Sequence, residues 1–213
     1  MVRIITVERE YGSLGATYAH MLANRLGWKL IDDCLIEEIA QKAGVEKSTV
    51  RQCDERLDPW FYRFGKAFWH GSLERLPVPQ SDTFDSERMV DHVREALEAR
   101  AREGQCVVVG RGAACLLRAT PGSFHVFVHA SMPRRVKWFA EQFPEQAASA
   151  EAEILATDRR RAAYIRRYYD VEWTDYRLYH LMMNNCMGFE AMVEATIQAA
   201  GLGIREKLDQ QAV

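Results

Sequence analysis

The sequence predicts an α/β sandwich on a mostly parallel sheet, and three observations carry that prediction. Short apolar, β-branched runs bounded by Gly or Pro recur along the chain, the pattern of strands covered on both faces. Segments with helical spacing separate them, which is how parallel strands and crossover helices alternate. The first strand runs into a loop of small residues that opens onto an amphipathic helix, the layout of an anion site. With 213 residues, 48% hydrophobic and 27% charged, the chain suffices for one such domain, 1–213, with a small insertion.

The first strand is read at Arg3–Val7, followed by Gly12, Ser13 and Gly15. Tyr18, Met21, Leu22 and Leu26 then follow helical spacing until Gly27 stops the helix. A weaker strand, Trp28–Ile31, closes with Asp32 and Asp33. Residues 47–85 show no strand pattern and carry Trp60, Phe61, Tyr62, Phe64, Phe68 and Trp69, so they read as a helical insertion ending in a loop. Those aromatics pack onto the main domain or onto a partner subunit, a homodimer in the second case; a membrane-surface helix is the minor alternative. Ser86–Glu103 places Met89, Val90, Val93, Ala96 and Leu97 on one helical face before Gly104. Strands follow at Cys106–Gly110 and Phe124–His129, with helices at Met132–Phe143, Glu151–Tyr169 and Phe189–Lys207.

A net charge of −2 supplies no global field for nucleic acid or an anionic membrane, and positive charge is local, as at Arg159-Arg160-Arg161. Such clusters suit a small phosphorylated ligand or a solvated helix face. Five cysteines without a C-x-x-C pair argue against a disulfide framework or a zinc site. The N-terminus holds no run long enough for a signal sequence, and no apolar stretch has the length of a membrane span, so a cytoplasmic protein is expected.

Three stretches carry the chemistry. Gly12, Ser13, Leu14, Gly15, Ala16 and Thr17 form a strand-to-helix turn whose backbone N–H groups and helix end face an anion, and Thr17 offers a hydroxyl to phosphate or Mg²⁺. The Walker pattern G-x-x-x-x-G-K-[ST] requires a lysine, yet Gly15 follows Leu14 here. Arg111 emerges at the carboxyl end of the strand CVVVG, where open α/β sheets place ligands; it grips a phosphate or forms a structural ion pair. Residues 158–185 form an arginine-rich helix and its sequel. Arg161 and Arg167 lie about 600° apart around that helix, whereas Arg160 and Arg167 share a face. His125 and His129 alternate with apolar residues and read as core or edge histidines.

In order and spacing, ITVEREYGSLG, WKLIDDCLIEEIA, VVVGRGA, VFVHASMPRRV and Asp158-x-x-Arg161-x-x-Tyr164 with Trp173, Asp175, Tyr179 and Asn184 resemble the cytidylate kinase-like family of P-loop nucleoside monophosphate kinases. The resemblance implies a P-loop three-layer sandwich with a five-stranded sheet. It implies ATP and Mg²⁺ over the first loop, and a CMP-like acceptor between the insertion and an Arg-rich lid at 155–175. Arg9, Arg111, Arg161 and Arg167 are the expected catalytic cations, Asp32, Asp33, Arg111 and Asp158 the acceptor contacts, and Thr17 and Glu8 the metal side. Asp32 or Asp33 also suits an N-cap of the next helix.

The chain departs from cytidylate kinases at three loop positions and one strand end. Gly15 stands at their lysine, Leu14 and Arg9 at glycines, and Gly112 at the aspartate of G-R-D. Ala16 replaces the arginine of relatives that read R-E-Y-G-S-G-G-R. Arg9 or Arg111 is the expected substitute cation. The alternative is a nucleotide-binding sensor or scaffold that kept the cradle and lost catalysis.

Overall fold

The computed structural model describes residues 1–32, 94–95, 97–99 and 102–203. The chain divides into two units, Met1–Leu30 with Gly104–Val213, and Ile31–Glu103. In the second, the described residues 94–95, 97–99 and 102–103 are helical, in agreement with the helix read at Ser86–Glu103. The aromatic insertion 47–85, on which the homodimer expectation rests, and Asp33 lie outside the described residues.

The sheet has five strands in the order β2-β3-β1-β4-β5. These are β1 Ile4–Arg9, β2 Lys29–Ile31, β3 Cys106–Val109, β4 Ser123–His129 and β5 Leu181–Asn184. Central β1 pairs in parallel with β3 and β4, and β4 pairs in parallel with β5. The α-helices described in the first unit are α1 Gly15–Leu26, the single turn α2 Ala113–Leu116, α3 Met132–Gln142, α4 Ala150–Tyr169 and α5 Phe189–Ala199.

Strand alternation sorts the sheet's side chains between two helical layers. Ile5, Val7, Val107, Val109, Val126 and Val128 form one face with Tyr18 and Leu22 of α1 and Met192, Val193 and Ile197 of α5. On the other, Phe127 meets Ala114 of α2, Ile165 of α4, and Trp173, Leu178 and Tyr179. Phe139 of α3 and Ile154 of α4 make a smaller cluster against Tyr11 and Trp138. Together these three clusters make the predicted sandwich.

The structure moves several boundaries. β1 runs two residues beyond Val7, because Glu8 and Arg9 stay in register with Phe127 and Val128 of β4 although both are charged. β5 was hidden within LYHLMMNN; four residues at a sheet edge give too short a period to read. The helix that starts at Phe189 ends at Ala199, and Gly201 follows in the left-handed region at φ 68°; residues 204–207 of the helix read to Lys207 lie outside the described residues. Among the described residues no helix is long and apolar enough to cross a membrane.

His125 lies in the core of β4, its Nδ1 2.8 Å from Thr6 Oγ1, while its backbone N–H donates to His180 Nδ1 at 2.9 Å. Burial, helped by His180 and Arg118, lowers its pKa to about 4. Between pH 6.5 and about 4 the unfolded chain therefore binds this proton and the folded chain does not, so acidification through that window destabilises the fold. Above the window, His125 is neutral in both states. The expected slope is at most about 1.4 kcal/mol per pH unit. Urea melts of the wild type and His125→Asn at pH 7.5 and 4.5 check it: the wild type should lose more stability than the variant.

Candidate phosphate-binding site

The loop after β1 is shaped by the side chain of Arg9, which lies on the α1 face of the sheet. A Cβ on Gly15 would stand 2.5 Å from Arg9 Cβ and 3.2 Å from Val128 Cβ. A Cβ on Gly110, at the end of β3, would collide with Arg9 Nη1. The arginine thus runs over the first residue of α1 and ends against the backbone of β3, where two glycines leave room. Arg9 is buried along this path.

The helix start beside it is open. Leu14 precedes α1 in the left-handed conformation, φ 61° and ψ 22°, with no side-chain cap. Tyr18 N–H reaches back to Leu14 O at 3.1 Å, the first helical bond. The N–H groups of Gly15, Ala16 and Thr17 are the donors a helix leaves unused at its start, and Ala16 and Thr17 are exposed.

The other half of the loop is held from outside. Tyr11 N–H donates to Asp158 Oδ1 at 2.8 Å, and Ser13 N–H to Glu10 O at 3.2 Å. Arg135 Nε donates to Tyr11 O at 2.8 Å, while Arg135 also pairs with Asp158 and, at 3.3 Å, with Glu10. Arg161 donates to Arg9 O at 2.7 Å, with its guanidinium carbon 5.7 Å from the centre of the Tyr11 ring. Asn185, just past β5, donates from Nδ2 to Ser13 O at 3.0 Å.

At the end of β3, Gly110, Arg111 and Gly112 have φ of 72°, 61° and 68°. The two glycines adopt this region freely, but Arg111 stores strain there that only a fixed surrounding maintains. Arg111 is buried, and its charge is felt by Tyr164 of α4. A Cβ on Gly112 would collide with the Tyr169 ring and stand 3.1 Å from Ile165 Cδ1, so α4 closes the position at which the motif G-R-D has its aspartate.

Glu8 points to the opposite face from Arg9. It is buried and accepts from Trp173 Nε1 at 3.3 Å. Burial raises its pKa, against the opposing pull of Arg9, Trp173, Arg161 and the Gly112 N–H. Its charge helps raise the pKa of Tyr179, and, with burial as the larger cause, that of Cys115 to about 12. Glu8 is therefore enclosed by the aromatic cluster rather than presented beside the exposed Thr17. Among the described residues no group of three His, Cys, Asp or Glu side chains is placed to hold a metal ion.

The structure thus brings together Arg9, Gly12, Ser13, Leu14, Gly15, Arg111, Asp158 and Arg161 around the ends of β1 and β3. Asp158 contacts the loop itself. Arg167 lies on an exposed face, 5.6 Å from the Tyr168 ring centre, away from the buried Arg161. Asp32 follows β2 in the second unit. Asn185 had not been singled out, and Arg135 had been read only as part of a local positive cluster with Arg134 and Lys137 and of the motif VFVHASMPRRV. For Arg135 the signal was present: it shares a helical face with Trp138 and Phe139, so its charge points inward.

The sequence model of the cytidylate kinase-like family matches residues 4–186. No curated protein matches the chain. Among solved structures, an uncharacterized protein from Eubacterium ventriosum is 17% identical with a TM-score of 0.69, covering 94% of this chain and 99% of its own. A shikimate kinase from Bacteroides thetaiotaomicron is 15% identical with a TM-score of 0.50, covering 92% of this chain and 97% of its own. At such identities the likeness concerns the fold.

The closed position at Gly112 is directly testable. Gly112→Asp, which restores the aspartate of G-R-D, should lower stability by roughly 2–4 kcal/mol, through overpacking plus a left-handed non-glycine residue. Chemical denaturation beside Gly112→Ala, which meets the same two obstacles with one carbon, checks this. A melt unchanged by either substitution would contradict it.

Proposed function

The chain belongs to the cytidylate kinase-like family, and from that premise we propose that it transfers the γ-phosphoryl group of ATP to a nucleoside monophosphate of the CMP type in the cytoplasm, with Arg9 in the role of the Walker lysine. One observation carries this reading. The side chain of Arg9 crosses the open start of α1 and needs glycine at both Gly15 and Gly110 to do so. A lysine at position 15 and an arginine at position 9 exclude each other sterically, so the two are alternative ways of placing a cation at one loop.

In this proposal the N–H groups of Gly15, Ala16 and Thr17 hold phosphate oxygens, which fits the uncapped helix start. The Thr17 hydroxyl is the residue that would face Mg²⁺; such ions keep several waters and lean on the substrate's phosphates, so a single protein contact suffices. Bound ATP with Mg²⁺ supplies the phosphoryl group and part of the charge neutralisation. Arg9 stabilises negative charge on the transferring group, Arg111 holds the acceptor phosphate, and Arg161 fixes the Arg9 backbone through its carbonyl. The strained Gly110–Gly112 turn keeps Arg111 in place before substrate arrives.

A second reading has its own support. Tyr11 and Ser13 already spend their N–H groups on Asp158 and Glu10, and Gly112 lacks room for an acidic side chain. These features favour a sensor or scaffold that binds nucleotide without turning it over.

Coupled ADP release with Mg·ATP across a series of nucleoside monophosphates separates the two. The wild type should turn over, Arg9→Ala should lose about 10²- to 10³-fold in kcat, and Arg9→Lys should lose less. Gly15→Lys should harm both activity and folding, because its Cβ alone would meet Arg9 Cβ at 2.5 Å. Background turnover with every acceptor, alongside tight ATP binding, would establish the sensor instead.

A further inference from the structure

We infer that Arg135 and Asp158 form a latch that sets the orientation of the phosphate loop, which makes Arg135 a positioning residue of the site. The inference rests on the kinase reading for its ligand. Arg135 is buried, four residues into the helix that leaves β4. Its guanidinium addresses three acceptors at once: the Tyr11 carbonyl at 2.8 Å, the Glu10 carboxylate at 3.3 Å and the Asp158 carboxylate. Asp158 uses its other oxygen to accept the Tyr11 N–H at 2.8 Å.

The N–H and the C=O of one residue are therefore fixed by one ion pair. Those two groups belong to the peptide planes on either side of Tyr11, so both planes are set. The direction in which the chain enters Gly12, at φ 77°, follows from them. Neighbouring bonds keep the pair itself in place. Glu10 also accepts the Ala130 N–H at 3.0 Å, which fastens it to the end of β4. One helical turn after Asp158, Arg161 takes the Arg9 carbonyl at 2.7 Å. Above Gly12, Arg135 Cβ and Trp138 Cε3 would stand 3.3 and 3.1 Å from any added Cβ, so the turn is covered as well as bonded.

A staple of purely structural kind would hold the helices together and leave ligand affinity alone. A positioning latch acts on the loop. It also gives Asp158 a partner inside the protein, in place of the acceptor contact expected from the sequence.

The test uses the full chain and three variants: Arg135→Ala, Arg135→Lys and Asp158→Asn. Two measurements are made, hydrogen exchange of the amides of residues 11–15 without ligand, and the affinity for Mg·ATP and for tripolyphosphate. Asp158→Asn keeps an oxygen for the Tyr11 N–H and loses the charge, so its effect should be the mildest. Arg135→Lys should fall between it and Arg135→Ala, because an ammonium on a longer stem reaches one of the three acceptors. The expected losses of affinity run from a few-fold for Asp158→Asn to about tenfold to a hundredfold for Arg135→Ala, the scale of an ångström-sized misplacement. Loop amides should exchange faster in the same order.

Affinity within twofold of the wild type and unchanged exchange in any folded variant would overturn the latch. If Arg135→Ala fails to fold, Asp158→Asn decides by the same two readouts. A wild type that binds neither ATP nor tripolyphosphate would defeat the kinase reading. The latch would then stand or fall on exchange alone.

Discussion

A guanidinium laid across the ends of two adjacent parallel strands needs space that side chains on those strands would fill, and Arg9 finds it at Gly15 and Gly110. Much of the local structure answers to that requirement. α1 begins with a residue that lacks a Cβ, and another, Gly110, follows β3 directly. The arginine's carbonyl remains available to Arg161, which brings α4 onto the loop. Once α4 lies there, Tyr169 and Ile165 cover Gly112, and the turn that carries Arg111 is confined from above. Departures from the Walker pattern that look unrelated in the sequence thus occupy one connected region.

Parallel strands and long helices were legible because their signals are repetitive. CVVVG is apolar throughout and FHVFVH is apolar apart from His125 and His129, as suits strands covered on both faces, and Met132–Phe143 and Glu151–Tyr169 were placed to within a residue. What escaped has weak or ambiguous patterning. Glu8 and Arg9 are charged residues inside a strand, on opposite faces: Glu8 accepts from Trp173 Nε1, and Arg9 lies against Gly15 and Gly110. β5 is four residues long and sits at the edge, with its middle methionine Met182 exposed.

The site was legible in its backbone and obscure in its partners. Small residues between a strand and a helix announce themselves. Nothing local announces that Tyr11 meets a carboxylate 147 residues away, or that Arg161 bonds across 152 residues to Arg9. Arginines on one helix look interchangeable in sequence, yet Arg161 is buried against the loop and Arg167 is exposed. The difference of six residues explains it, since that separation carries the two to different faces.

The hydroxyl pair between the two helices on the Arg9 face bears on how a ligand would be received. Tyr18 OH lies 2.6 Å from Thr196 Oγ1, which itself donates to Met192 O at 3.0 Å, so the tyrosine is the donor in the first contact. Burial raises the Tyr18 pKa and keeps that proton in place. With its hydroxyl bonded to Thr196 and its ring in the core, Tyr18 ties α1 to α5. The helix whose first N–H groups hold phosphate oxygens in the proposed function is packed in place beforehand, and under that proposal capture of the anion sacrifices little conformational freedom there. Under the proposed function, phosphate association would then carry a small entropic penalty on the protein side, because α1 is held by that hydroxyl pair together with its apolar face.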